Sequence, residues 1–291
     1  MTVDRAGKAV EDKQENARFL SFLYGNPVGR LLLKLFTSRF LSRLVGRYMD
    51  SRLSLGRAKK CMTAYGVDPS ELEKDPADFK SFNDFFTRKN KPDCLHWCGE
   101  PGRFPSPADS RVTAHRLDGT AAFPVKGAPY TAEDLLQSPE EAENFRDGWA
   151  LVFRLAPSDY HRYIYPDGGT EKGFSFIPGV LHTVSPVATG RIPVFHRNCR
   201  EKTFLETDHF GLLAYVEVGA MMVGKICNTH PDGRFERGDE KGYFAFGGST
   251  VVVLLRPGTA EPDEDILQNS ENGNETYVRL GEAVAHIPDP R

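Results

Sequence analysis

Apolar positions fall into two textures along the chain. Leu31, Leu32, Leu33, Leu35, Phe36, Phe40, Leu41, Leu44, Val45 and Tyr48 recur at helical spacing and predict helix over 19–48. From about residue 104 the pattern changes to short apolar runs separated by Gly, Pro and Asp, at 150–155, 192–195, 203–205, 212–218, 222–226, 243–246 and 251–255. Runs so closely spaced predict mixed or antiparallel strands. Short helices are expected at 131–137 and 140–146, the second opening after Ser138-Pro139. Residues 1–16 are polar and read as a loose start, 263–274 as a surface loop, and 276–280 as a last strand. The expected fold class is α+β, with a helical N-terminal arm over 1–90 and a β-rich core over 91–291.

Phe246-Gly247-Gly248-Ser249-Thr250 stands out, with the unbroken run Val251-Val252-Val253-Leu254-Leu255 behind it. Such a run reads as a strand buried on both faces. Two glycines leave the preceding peptide deformable, while the strand holds the serine firmly. That geometry suits a serine attacking its own preceding carbonyl. On these five residues alone, an ordinary glycine turn entering a strand explains the pattern as well.

Charge changes the picture of the helical arm. Between Pro27 and Met49 stand Arg30, Lys34, Arg39, Arg43 and Arg47, with no acidic residue among them. Arg39, Arg43 and Arg47 follow at four-residue intervals and form one basic stripe. The segment is interrupted too often to span a bilayer, which takes about 20 largely uncharged residues. An apolar face beside a purely basic one fits a helix lying on an anionic membrane surface. A helix packed on the protein's own core, with a solvated basic side, is the alternative.

Composition bounds the rest. At 291 residues, 40% hydrophobic and 26% charged, the chain can bury a full core. A net charge of -3 gives no case for nucleic acid as a partner. Five scattered cysteines and a charged, non-apolar start point to a reducing, cytoplasm-facing compartment with no secretory signal. Cys94-Leu95-His96-Trp97-Cys98 has metal-ligand residue types, but no second paired cluster exists, so no metal is expected.

Reactive groups stand in four further places: Ser106-Pro107-Ala108-Asp109, Asp159-Tyr160-His161-Arg162, Leu181-His182-Thr183-Val184 and the small-residue segment Val218-Gly219-Ala220 with Val223-Gly224. Taken singly, each is more often structural than chemical. In order along the chain, and together with Phe82-Asn83-Asp84-Phe85-Phe86-Thr87-Arg88, Lys126-Gly127 and 241–250, they resemble the phosphatidylserine decarboxylases, pyruvoyl enzymes that process themselves. The resemblance covers roughly residues 20–285.

What the resemblance implies is specific. Ser249 attacks the Gly248 carbonyl, and elimination and hydrolysis leave a pyruvoyl group on the new end of a fragment 249–291. That group, derived from Ser249, takes up the electrons left when carbon dioxide departs, so no metal or separate cofactor is needed. A base must activate the serine and an acid must orient the base. By resemblance the acid is Asp109. The best-known members carry a second histidine three residues after the one matched by His161, and Ile164 stands there in this chain. The base therefore stays open between His161, which would also protonate the carbanion, and His182; processing without a histidine base is a third reading. The expected substrate is phosphatidylserine at a membrane surface. A soluble aromatic amino acid, or a non-cleaving lipid-binding role, are the alternatives; a serine hydrolase lacks its Gly-x-Ser-x-Gly elbow. Self-association into a homodimer stays open. His96, His115, His196, His209, His230 and His286 match no motif and read as structural or surface residues.

Overall fold

A computed structural model describes residues 1–11, 17–95, 97–118, 122–125, 128–189, 192–221, 225–246 and 249–288. His96, Lys126-Gly127, Met222-Val223-Gly224 and Gly247-Gly248 lie outside the described residues.

Four helices open the chain after a short strand: α1 (Ala17–Gly25), α2 (Pro27–Phe36), α3 (Arg39–Asp50) and α4 (Leu55–Tyr65). The predicted 19–48 helix is thus broken twice. Asn26 caps α2 by accepting from the Val28 N–H, with Pro27 in the first turn, and Ser38 caps α3. Gly29 makes the α1–α2 crossing close, since a Cβ there would collide with the Phe22 carbonyl. Further on come α5 (Phe82–Phe86), α6 (Ala132–Leu136), α7 (Pro139–Glu143), α8 (Pro186–Thr189), α9 (Val194–Arg197) and α10 (Glu264–Glu271).

The core is a mixed sheet whose strand order is β1 (Thr2–Val3), β16 (Glu275–Val278), β3 (Ser110–Arg116), β6 (Trp149–Leu155), β14 (Ser249–Leu255), β10 (Gly211–Val218), β9 (Arg200–Thr207), β8 (Gly169–Ile177) and β12 (Arg234–Phe235). Its pairs are antiparallel except β1 with β16. Two smaller sheets, β11 (Ile226–Asn228)–β13 (Glu240–Phe244)–β7 (Arg162–Ile164) and β15 (Glu261–Pro262)–β17 (Ala283–His286)–β2 (Arg103–Pro105), complete the body with the hairpin β4 (Ala122–Val125)–β5 (Ala128–Thr131). The fold is α+β, as the two textures predict.

Strand alternation divides the core in two. Val252, Leu254, Ala150, Val152, Ala214, Val216 and Val218 face one way and pack with Leu23, Tyr24 and Leu33 from α1 and α2, and with Leu135 and Phe145. Val251, Val253, Leu255, Leu151, Phe153, Leu155, Leu213 and Tyr215 face the other way, against Tyr163 and Phe244 of one small sheet, Phe104 and Val284 of the other, and Ile266 of α10. One face is helix-covered and the other strand-covered. All of β14 is therefore buried, which is why its sequence does not alternate.

Three local expectations need correcting. The 263–274 segment contains a helix, α10, because Ile266 is buried against the strand-covered core and Glu264 and Asp265 sit in its positive first turn. Residues 192–195 lead into and open α9 (Val194–Arg197) instead of forming a strand; a short apolar run does not distinguish the two by itself. The start of the chain is engaged, with Val3 buried beside β16 and Arg5 paired to Asp263 and Asp265.

The exposed surface of the first three helices is unusually apolar. Leu31 and Phe40 are 69% and 70% exposed, and Val28, Leu32, Leu35, Leu44 and Tyr48 are exposed as well. Arg30, Lys34, Arg43 and Arg47 are exposed among them. No described helix is long and apolar enough to cross a membrane.

Candidate active site

Four adjacent strands of the central sheet end in register. Arg111 of β3 is paired with Arg154 of β6, Arg154 with Thr250 of β14, and Thr250 with Val218 of β10. One residue nearer the end, Ser249 pairs with Leu155. Asp109 precedes β3, the loop to His161 leaves β6, Ser249 opens β14, and Gly219 follows β10. Residues scattered over 140 positions of sequence, from Asp109 to Ser249, thus meet at one edge, with neighbouring strands about 4.8 Å apart.

Ser249 is completely buried, and its hydroxyl has no hydrogen-bond partner among the described residues. A buried hydroxyl left unsatisfied costs about 1–3 kcal/mol. By alternation with Val251 and Val253 its side chain belongs to the strand-covered face.

His161 is also fully buried and belongs to that same side. It leads into β7, whose Tyr163 packs in the strand-covered core, and its carbonyl accepts the Phe244 N–H at 2.9 Å. Its ring lies 3.9 Å, centroid to centroid, from Phe86. Phe246, three residues before Ser249, packs on Phe82 and Phe86 and donates its N–H to Asn83 Oδ1. The aromatic segment of α5 is thus the floor under both the histidine and the approach to the serine. His161 Nδ1 lies 2.9 Å from the Asp159 carbonyl oxygen. A carbonyl only accepts, so Nδ1 carries the proton and Nε2 holds the lone pair.

Asp109 fixes the turn that carries His161. Its carboxylate accepts the Leu280 N–H at 2.7 Å and the Tyr160 N–H. Burial pushes its pKa up to about 6 against the lowering pull of those bonds and of the nearby Arg88 guanidinium, while Asp159 adds to the rise. A buried ion pair between Arg111 and Asp159, and the Ala156 N–H donated to Asp159, lock the same turn. A pocket of ≈410 Å³ opens over Asp109, walled by Arg88, Asp159, Tyr160 and Tyr277. Arg88 is buried there, stacks on Phe85 and donates to the Ser158 and Asp159 carbonyls, while Nε and Nη1 have no partner among the described residues. Ile164 is buried with Tyr160 and Leu280 and donates its N–H to the Pro107 carbonyl, two residues before Asp109.

His182 stands elsewhere. Its Nδ1 is 3.1 Å from the Tyr24 hydroxyl of α1, and its neighbours Val184 and Ala188 belong to the helix-covered core. Asn198 clamps its backbone, and its carbonyl accepts the Met221 N–H just beyond β10. Burial, helped by Arg197, pushes its pKa down to about 4, leaving the ring neutral at ordinary pH. The structure thus brings Asp109, His161 and Ser249 to one edge and places the His182 ring in the opposite layer.

Arg88 and the Arg111–Asp159 pair have no signal in the sequence beyond lying in or beside the quoted motifs. Tyr24 has none at all. Five of the six remaining histidines have structural partners: His115 with Thr113, His196 with Asp134, His209 with Asp167, His230 with Glu171 and Glu201, and His286 with Asp263.

A family model described as phosphatidylserine decarboxylase matches residues 82–286. The chain is 39% identical to "Phosphatidylserine decarboxylase proenzyme 2" of Clostridium acetobutylicum over 279 residues, covering 96% of this chain and 95% of that one. It is 36% identical to a phosphatidylserine decarboxylase proenzyme of Clostridium botulinum, over 94% of each chain. A proenzyme of that name from Clostridium perfringens is 35% identical, over 97% of this chain and 98% of its own.

Proposed function

The chain belongs to the phosphatidylserine decarboxylase family, and on that premise we propose that it converts phosphatidylserine to phosphatidylethanolamine through a pyruvoyl group made by cleavage of its own Gly248–Ser249 bond. The observation that carries this reading is Ser249 itself: a buried hydroxyl with no partner among the described residues, at the mouth of a rigid strand and in the same layer as His161. The relatives' name, proenzyme, supports a processed chain.

His161 Nε2 takes the Ser249 proton, with the Asp159 carbonyl holding the ring and Asp109 holding the backbone of the turn. Ser249 Oγ bonds to the Gly248 carbonyl carbon, and the Gly248–Ser249 C–N bond breaks to leave an ester. Loss of the Ser249 Cα proton expels the Gly248 carboxylate, and water then replaces nitrogen as ammonia, leaving a ketone on residue 249. When formed, the pyruvoyl group supplies an electron sink for the bond to carbon dioxide. In decarboxylation His161 returns a proton to the α carbon, while Phe86 and Phe246 keep water away. Asp109 acts as a positioning residue. The alternative base, His182, is disfavoured by its layer and by a lone pair that is only weakly basic.

The exposed apolar and basic surface of α1–α3 favours a bilayer-borne lipid over a soluble amino acid as substrate, since such a surface is costly in water and matches an anionic interface. On this reading residues 1–90 are a membrane-docking arm and 91–291 the catalytic core, a functional division, because α1 and α2 share the core's packing. Intact-mass analysis of the purified chain tests the proposal. It should show two fragments, 1–248 and 249–291, the smaller without a free amino group; a single uncut chain would sink it.

A further inference from the structure

A second pocket, of ≈450 Å³, lies between α2 and the loop that carries His182. From α2 it is lined by Arg30, Leu33, Lys34 and Thr37, which form one helical stripe, and from the body by Gly179, Val180, His182 and Arg197. The Leu181 N–H donated to the Thr37 carbonyl ties the two walls together. Three of the lining side chains are cationic and none is acidic. Arg30, Lys34 and Arg197 are exposed and pair with no carboxylate among the described residues. Three like charges converging on one cavity repel each other unless an anion sits between them.

The rim identifies the kind of anion. Leu31 and Leu35 rise from the adjacent stripe of α2 at 69% and 55% exposure, and Val180 is 40% exposed on the facing wall. A free anion has no use for an apolar rim, whereas a phospholipid presents a phosphate and acyl chains together. We propose that this pocket binds the phosphodiester of a membrane phospholipid, with Arg30, Lys34 and Arg197 on the phosphate and the acyl chains along Leu31, Leu35 and Val180. His182 lines the same pocket, and its carbonyl accepts the Met221 N–H just beyond β10. Guanidinium groups and an ammonium around one phosphate give charge-assisted hydrogen bonds, about twice as strong as neutral ones. The site deepens the membrane-lipid reading above and rests on it.

The test is calorimetric titration of the full chain with dihexanoylphosphatidylethanolamine below its micellar concentration. This probe carries the phosphodiester but no net charge, so general surface electrostatics contribute little. Arg30→Gln/Lys34→Gln and Arg197→Gln should each weaken binding tenfold or more, leaving the weaker binding of dihexanoylglycerol unchanged. Lys59→Gln/Lys60→Gln removes the same charge from exposed positions on α4 and should have no effect. Equal losses in the α2 and α4 doubles would overturn the site, as would inorganic phosphate binding as tightly as the lipid. Vesicle sedimentation of Leu31→Ser/Leu35→Ser reads the membrane premise separately: sedimentation unchanged there refutes the premise, while a failed titration refutes only the pocket.

Discussion

The two faces of the central sheet each carry a buried histidine near the start of β14, and they differ in what surrounds it. On the strand-covered side His161 is held by a backbone carbonyl, stacked on Phe86 and placed in the layer of the Ser249 hydroxyl. On the helix-covered side His182 is held by the Tyr24 hydroxyl of α1 and lines a cationic pocket under the amphipathic arm. The first environment fixes a tautomer and protects a lone pair; the second depresses basicity. On the two proposals above, chemistry and lipid recognition are divided between the two layers.

The largest expected effect is at the serine. Ser249→Ala should abolish cleavage completely by intact mass with the fold retained, because the change removes a buried hydroxyl that has no partner among the described residues. Next, His161→Ala should slow cleavage by about 10²- to 10⁴-fold, the usual worth of a general base, while His182→Ala should change it by less than about tenfold. The opposite order in a time course of cleavage would break the contrast between the faces.

Asp109 gives a smaller effect with a sign of its own. Its carboxyl takes up a proton as pH falls through about 6, so cleavage should slow below that pH. Because the unfolded carboxyl titrates near 3.9, the native state holds a proton that the unfolded state has released between roughly pH 4 and 6. Stability therefore declines as pH rises through that window. Asp109→Asn should slow cleavage at pH 8 yet raise stability there, by up to ~3 kcal/mol in denaturant titration. A loss of both would mean the carboxylate is purely structural. Smallest in stability is Leu31→Ser/Leu35→Ser, expected to stay within about 0.5 kcal/mol because both side chains are exposed. Its vesicle binding should nonetheless fall several-fold.

Legibility in the sequence followed burial. The 251–255 run was readable because β14 is enclosed on both faces, and the basic character of 30–47 because no fold can hide five cations without partners. By contrast, α10 was opaque, since Ile266 is its single buried side chain, and β8 because most of its residues are exposed. The parallel pairing of β1 with β16 joins residues more than 270 positions apart, and no local pattern encodes it.

The sequence by itself pointed to Ser249 with its glycine approach, to Asp109 in the Ser-Pro-Ala-Asp turn and to His161 and His182 as candidate bases, because the order of the motifs along the chain resembles the family. Only the tertiary structure decided which histidine shares a layer with Ser249, that Ile164 is buried with Tyr160 and Leu280, and that Arg30, Lys34 and Arg197 converge on one cavity. Those relations depend on strand alternation and on contacts across the sheet. A side chain's face is set by a register fixed many residues away, and burial there sets how strongly it holds a proton.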